Sequence, residues 1–257
     1  MQRAALTLLL CVLATAWTAR AAVPLDTLTL GVQAYRPKAL LSERFEPLRA
    51  YLEEQLEGAR VRVRILTLEE LERASSRNEL DLVLANPAHY LVTRSQNTVA
   101  VALATLVRQG AERHTASLGG VVITRAGARG IDTLADLTGR RVATPGRGHL
   151  GGYKAQAYEL LQAGLEAPAA VDLLEVGNHD AVVEAVIAGR AEVGFIRTGI
   201  IEALAAEGRL DPTRLRVVNE QPLAGFPYAA STRLYPEWPL VALPQVGEAT
   251  MRRLASA

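Results

Sequence analysis

The chain has 257 residues, 28 basic and 27 acidic side chains, a formal charge of +1 and 49% hydrophobic residues. That is enough to build cores in one large domain or two lobes, and it excludes a disordered chain. The near-zero charge leaves no footprint for nucleic acid or an anionic membrane surface, and the lone Cys11 excludes an intrachain disulfide and a thiolate metal site.

Residues 1–21 read as an export signal. Arg3 precedes an apolar run from Ala4 to Ala16, and Ala19-Arg20-Ala21 supplies the small residues of a cleavage site. The run is short of the roughly 20 apolar residues that a membrane span needs. An uncleaved N-terminal anchor stays open as the alternative; either way the body is exported.

From Leu28 onward the pattern alternates between strand and helix. Leu28 to Tyr35 predicts a strand, and Phe45 to Leu56 a helix ended by Gly58. Val61 to Leu66 alternates apolar residues with arginine, the period of a strand. Thr67 is placed to cap a helix from Leu68 to Ser76, with Glu70 at the capping-box position. Asp81 to Ala85 is a short buried strand ending at Asn86-Pro87, and Leu118 to Thr124 another. The plan then repeats. Arg141 to Thr144, Val171 to Val176 and Glu192 to Arg197 read as strands; Tyr153 to Gly164 and Asn178 to Gly189 read as helices. Within the repeat, Glu79 to Asn86 matches Arg190 to Arg197, each with an acid near the strand start and a polar residue at its end. This order predicts two similar α/β lobes with parallel sheets. The expected division is 22–120 plus 225–257 for lobe one and 121–224 for lobe two. Gly225 to Ala230 is the candidate return, and Pro244 to Ala257 a final helix packed on lobe one. Two crossings make a hinge, and hinged lobes close around ligands.

Ligands of open α/β sheets sit at the carboxyl ends of the strands. Tyr35, Asn86, the 145–152 loop, Val176 to His179, Arg197 and Thr198 are therefore expected to converge on one cleft. The loop Pro145 to Tyr153 is glycine-rich and opens a helix, a setting that favours anions through backbone N–H groups and the helix dipole. Gly151 and Gly152 permit close approach, and Arg147, His149 and Lys154 add donors. Gly146, Gly148 and Gly151 also fit G-x-G-x-x-G, but a dinucleotide is discounted in an exported chain. A plain solvated connection is the simpler alternative. His89, His114, His149 and His179 lack metal-ligand spacing. His114 reads as a loop residue, while His89 is open between surface and cleft. Tyr90 and Tyr153 are open between core and cleft. Arg197 ends a buried strand, so its charge needs a carboxylate or a bound anion. No G-x-S-x-G elbow or phosphate-binding G-x-x-x-x-G-K-[ST] loop is present.

The segments Asn86 to Tyr90, Leu150 to Leu161 and Gly177 to Val183 resemble the phosphonate/phosphate-binding periplasmic family, from about Leu28 to the C-terminus. The resemblance implies a two-lobed type II periplasmic binding protein with a hinge and an interlobe cleft. Its members serve ABC importers as receptors, or form the periplasmic sensor domains of histidine kinases. The Leu150 to Tyr153 stretch and Ser231 to Pro239 look more like the sensor branch, to which tetrathionate sensors belong. By the same resemblance, His179 matches the family's phosphonate-contacting histidine and Tyr90 its lobe-one tyrosine. The hydroxyl run of phosphonate binders falls on His149-Leu150-Gly151, which offers backbone amides only. The implied ligand is a small oxyanion (phosphate, phosphonate or a sulfur oxyanion) lacking an amine, and the implied partner is a membrane-embedded histidine kinase or ABC permease. No cofactor, metal or nucleic acid is expected. The alternative is an exported enzyme of the same fold with His149 or His179 as general base.

Overall fold

The computed structural model describes residues 27–56, 58–96, 100–110, 113–167 and 169–256. The export segment 1–21 lies outside the described residues.

β1 (Leu28–Gln33) leads into α1 (Lys38–Gln55), β2 (Val61–Leu66), α2 (Leu68–Ser76), β3 (Leu82–Leu84) and α3 (Pro87–Gln96). Next come β4 (Val101–Thr105), a short hairpin of β5 (Arg108–Gln109) and β6 (His114–Thr115), β7 (Ser117–Leu118) and β8 (Gly120–Arg125). β9 (Arg141–Thr144), α4 (Ala155–Gln162), β10 (Asp172–Glu175), α5 (His179–Ile187), β11 (Val193–Arg197), α6 (Ile200–Ala206) and β12 (Leu215–Val218) follow. The chain then runs through β13 (Tyr235–Pro236) and β14 (Pro239–Ala242) to α7 (Glu248–Ser256).

Two five-stranded sheets result, ordered β2-β1-β3-β14-β4 and β10-β9-β11-β8-β12. The alternation predicts parallel sheets, but each is mixed. β1, β2 and β3 are parallel, as are β9, β10 and β11, whereas β14 runs antiparallel to β3 and β8 antiparallel to β11. The exception has one cause in both sheets. β8 enters its sheet from the first lobe and β14 enters its sheet from the second, so neither arrives through a helical crossover that would set it parallel.

The internal likeness has a physical counterpart. The Asp81 carboxylate accepts a 2.7 Å bond from the Thr29 amide, and the Glu192 carboxylate accepts one at 3.3 Å from the Arg141 amide. Each acid ties the start of its strand to the first residues of the sheet's central parallel strand.

α2 has the expected bounds, and its capping box forms: the Thr67 hydroxyl accepts from the Glu70 amide while Glu70 accepts from the Thr67 amide. α1 begins seven residues before the expected Phe45, because Leu41 extends the stripe of Phe45, Leu48 and Leu52 at helical spacing. The expected helix at Tyr153 starts earlier too, with a wide turn over Leu150–Lys154 in which the Lys154 amide reaches the His149 carbonyl at 3.1 Å. Gln156 holds that turn to the sheet. Its Nε2 donates to the carbonyls of Gly151 (2.8 Å), Ile196 (2.9 Å) and Val121 (3.3 Å).

Gly225 to Ala230 forms no strand. Gly225 has φ +77°, and Pro227 has no N–H to give a ladder. The return crossing is Ser231 to Trp238. There Tyr235 pairs with Leu118 and Pro236 with Ser117, and the Ser231 and Thr232 hydroxyls accept from the Val122 and Gly120 amides at 2.9 Å. The two crossings thus form one hydrogen-bonded hinge. α7 packs against α1 and β4, on lobe one.

Candidate functional site

The lobes meet across the carboxyl ends of β1, β3, β9 and β11. The Tyr35 carbonyl accepts from the His179 amide at 3.1 Å. The Gln33 amide nitrogen donates to His149 Nδ1 at 3.2 Å, while its oxygen accepts from the Asn86 amide and from Asn86 Nδ2, both at 2.9 Å. Asn86 Nδ2 also reaches the Gly148 carbonyl at 3.5 Å. The imidazoles of His149 and His179 stack edge to face at 5.6 Å. Burial holds His149 down to about 4, against the smaller pull of Glu69, and it holds His179 well below the usual range, helped by His149 and by Arg197. Both rings are therefore neutral at pH 7, and each accepts through Nδ1, His179 from the Arg197 amide at 3.4 Å.

Beside them lies a cationic cluster in which Arg197 is buried and Arg108 half-buried. Arg197, at the end of β11, is ion-paired with Glu237 in the hinge, with side-chain exposures of 2% and 0%. Arg108 comes from the β5 hairpin and places Nε 3.2 Å from the same carboxylate oxygen. The second Glu237 oxygen accepts from the Trp238 amide at 3.1 Å. Tyr35 and Trp238 meet edge to face at 5.1 Å. The Arg108 guanidinium lies 5.2 Å from the Tyr35 ring, and that of Arg197 lies 5.6 Å from both rings. One buried donor, Arg197 Nη1, has neither a hydrogen-bond nor an ion-pair partner among the described residues, while Arg108 Nε, also buried, meets only the Glu237 carboxylate. Burial raises the Tyr35 hydroxyl, but Arg108 and Arg197 together outweigh it and leave the pKa below the ordinary value. Two guanidiniums and one carboxylate leave the cluster with one excess positive charge.

The expected site residues thus fall into groups. Tyr35, Asn86, His149, His179 and Arg197 gather at the interface. Thr198 lies beside the hinge, where its hydroxyl accepts from the Gly119 amide at 3.1 Å. Gly151 and Gly152 are packed rather than open: a Cβ on Gly151 would come within 2.7 Å of Arg197 Cβ, and one on Gly152 within 2.4 Å of the Pro145 ring. Tyr153 belongs to the second lobe's apolar core, with Phe195 and Leu160. Arg147 is exposed and pairs with Glu175 at 3.1 Å. His89 is buried on α3, 4.0 Å from Glu72 of α2, and burial lowers its pKa. Tyr90 is half-buried, its hydroxyl accepting from Arg94 at 3.4 Å.

The glycine loop itself borders a recess of about 410 Å³ that Glu69 and Glu175 also line. The Gly146 amide already donates to Thr144 Oγ1 and the His149 amide to the Gly146 carbonyl. Sequence reasoning missed Gln33, Arg36, Arg108, Asp180, Glu237 and Trp238. Glu237 did leave a signal: a lone acid inside Tyr235-Pro236-Glu237-Trp238-Pro239 calls for a buried partner.

Two mixed sheets, crossed twice by a paired hinge and closed over strand ends, make this a type II periplasmic binding fold. The chain belongs to the family of periplasmic phosphonate-binding proteins of ABC transporters, whose profile matches residues 30–257. It is 26% identical over 232 residues to the tetrathionate sensor histidine kinase TtrS of Salmonella typhimurium, a match that covers 90% of this chain and 39% of the kinase. The chain therefore spans well under half the length of that relative. Among solved structures, a binding component of an ABC phosphonate transporter from Pseudomonas aeruginosa superposes with a TM-score of 0.74 at 15% identity, covering 90% of this chain and 73% of the other. PhnD1 of Prochlorococcus marinus, in complex with methylphosphonate, gives 0.69 at 17% identity, covering 90% and 83%. No helix among the described residues is long and apolar enough to cross a membrane.

Proposed function

We propose that this chain is a periplasmic receptor domain whose lobes close over a small oxyanion, and that closure is read by a membrane partner. The observation that carries this reading is the Arg108–Arg197 pair: two guanidiniums share one carboxylate, one positive charge is in excess, and Arg197 Nη1 is buried without a partner. A buried unpaired charge is costly, and a bound anion relieves it. The ligand contacts assigned here are Arg108, Arg197, Tyr35 and His179, with Asn86 and His149 holding the facing lobes. Of the two partners known for the family's members, a histidine kinase is favoured, since the match to the tetrathionate sensor kinase runs over 90% of this chain. An ABC permease is the other.

The test is calorimetry and thermal melting of the protein with phosphate, methylphosphonate, sulfate, thiosulfate and tetrathionate. An ion present at a hundred times its Kd adds about 2.7 kcal/mol of stability. At least one ion is expected to stabilise the protein, and Arg197→Met to abolish the effect. Silence across the panel, or full affinity in Arg197→Met, would overturn the reading.

A further inference from the structure

We infer that the cleft selects an oxyanion head carrying a single negative charge, and that Glu237 sets this limit; the inference rests on the anion reading above. Glu237 is fully buried, and its carboxylate is held on three sides by Arg197, Arg108 Nε and the Trp238 amide. Its own amide donates to the Ala116 carbonyl at 2.8 Å, so it is anchored in the hinge ladder. It therefore sits in the hinge, between one arginine from each lobe.

Charge then limits the ligand. Arg108 and Arg197 bring two positive charges and Glu237 removes one. His179, beside Arg197, is neutral and adds none. One negative charge on the ligand balances the cluster. A second would sit in a buried, weakly screened setting against the Glu237 carboxylate. The open donor fits the same picture. Tyr35 and Trp238 lie together on one side of the Arg197 guanidinium, each 5.6 Å from it, and its Nη1 is buried without a partner. One open edge suits a single tetrahedral head. A sulfonate head meets this description at any ordinary pH, whereas a phosphonate head meets it only while it keeps one proton.

Methanesulfonate and methylphosphonate separate these sources, because they share a shape and differ in the second charge. Their affinities are measured by calorimetry at about pH 5.5 and about pH 8.5, on either side of a phosphoryl-type second ionisation. The charged and titratable groups facing Glu237 are Arg197, Arg108, Tyr35, Tyr228 and His179; neutral His179 adds no charge across that range, and methanesulfonate, which does not titrate, registers any change in the tyrosines. At the higher pH methanesulfonate is expected to bind about tenfold more tightly or better, and at the lower pH the gap is expected to close. Glu237→Gln is expected to restore methylphosphonate binding relative to methanesulfonate at the higher pH. Equal or tighter methylphosphonate binding by the native protein at the higher pH would overturn the inference, and so would an unchanged ratio in Glu237→Gln. If that variant does not fold, the native protein's pH dependence decides alone. Failure of both ions to bind would count against the anion reading itself and remove this inference with it.

Discussion

Arg36 of lobe one grips Asp180 of lobe two through two parallel hydrogen bonds, Nε to Oδ1 at 2.7 Å and Nη2 to Oδ2 at 2.8 Å. The same guanidinium donates to both oxygens of Glu207, at 2.6 and 2.8 Å. Arg44 reinforces Glu207, and Arg209 reaches Asp180 at 2.6 Å. Arg36 follows Tyr35, and Asp180 follows His179, so the latch lies one residue from the binding cluster on both sides. It holds the lobes together with bonds that involve no ligand.

Arg36→Met tests the latch, because it removes the lobe-one partner of both Asp180 and Glu207. Breaking a buried pair costs about 3–5 kcal/mol when the surviving charge stays buried. Here the lobes offer an escape, because opening lets Asp180 and Glu207 meet water. The variant is therefore expected to open rather than unfold, with a larger radius of gyration in small-angle scattering and an unchanged far-ultraviolet spectrum. Identical scattering from variant and native protein would show that the pair does not hold the lobes.

Acid should act on the same latch through Glu207. Its hydrogen bonds to Arg36 hold its pKa down to about 2, against the opposing effect of burial. A depressed carboxylate contributes stability that is fully present above its unfolded value of about 4.3 and is lost as pH falls through the folded one. The contribution is about 3 kcal/mol at neutral pH. Stability is expected to decline between about pH 4.5 and about pH 2, with a smaller decline in Glu207→Gln. Denaturant titrations across that window check it; parallel curves for the two proteins would remove Glu207 from the account.

Much of this architecture is legible in the sequence, for local reasons. Thr67 and Glu70 write the start of α2, and the matched acids Asp81 and Glu192 mark equivalent strands. The sheets' mixed character is not legible, because direction depends on which lobe a strand enters from, and nothing within Val121 to Thr124 or Pro239 to Ala242 encodes that. The strand-end rule brings out Tyr35, Asn86, His179 and Arg197, all of which reach the interface. It has no means of finding Arg108, which arrives on a hairpin, or Glu237, which arrives through the hinge. The glycines of the 145–152 loop are legible as close-approach positions, but what approaches Gly151 and Gly152 is the protein itself.

His149 gives a spectroscopic prediction. Burial lowers its pKa to about 4, so the native ring takes up no proton where the unfolded chain does. Stability tied to this residue is full above about pH 6.5 and declines as pH falls toward 4. In a proton–nitrogen spectrum, its Nδ1 is expected to remain an unprotonated acceptor of the Gln33 bond at pH 6. A midpoint near the free-histidine value would mean that the ring is hydrated and the Gln33 contact absent.

Gly152 is where packing and binding meet. A Cβ there would lie 2.4 Å from Pro145 Cγ and 2.7 Å from His179 Cε1. The proline ring cannot rotate away, and His179 is buried with its Nδ1 engaged by the Arg197 amide. Gly152→Ala must therefore displace His179 or lift the wide turn at Leu150–Lys154. Overpacking of this kind costs about 1–3 kcal/mol. Gly127→Ala is the control, since its Cβ would meet nothing within 4 Å. Urea denaturation is expected to show a lower midpoint for Gly152→Ala than for Gly127→Ala. Oxyanion affinity should fall as well, because the displaced imidazole adjoins Arg197. Equal midpoints and equal affinities would mean that the turn yields freely, and that Gly152 neither packs His179 nor supports the site.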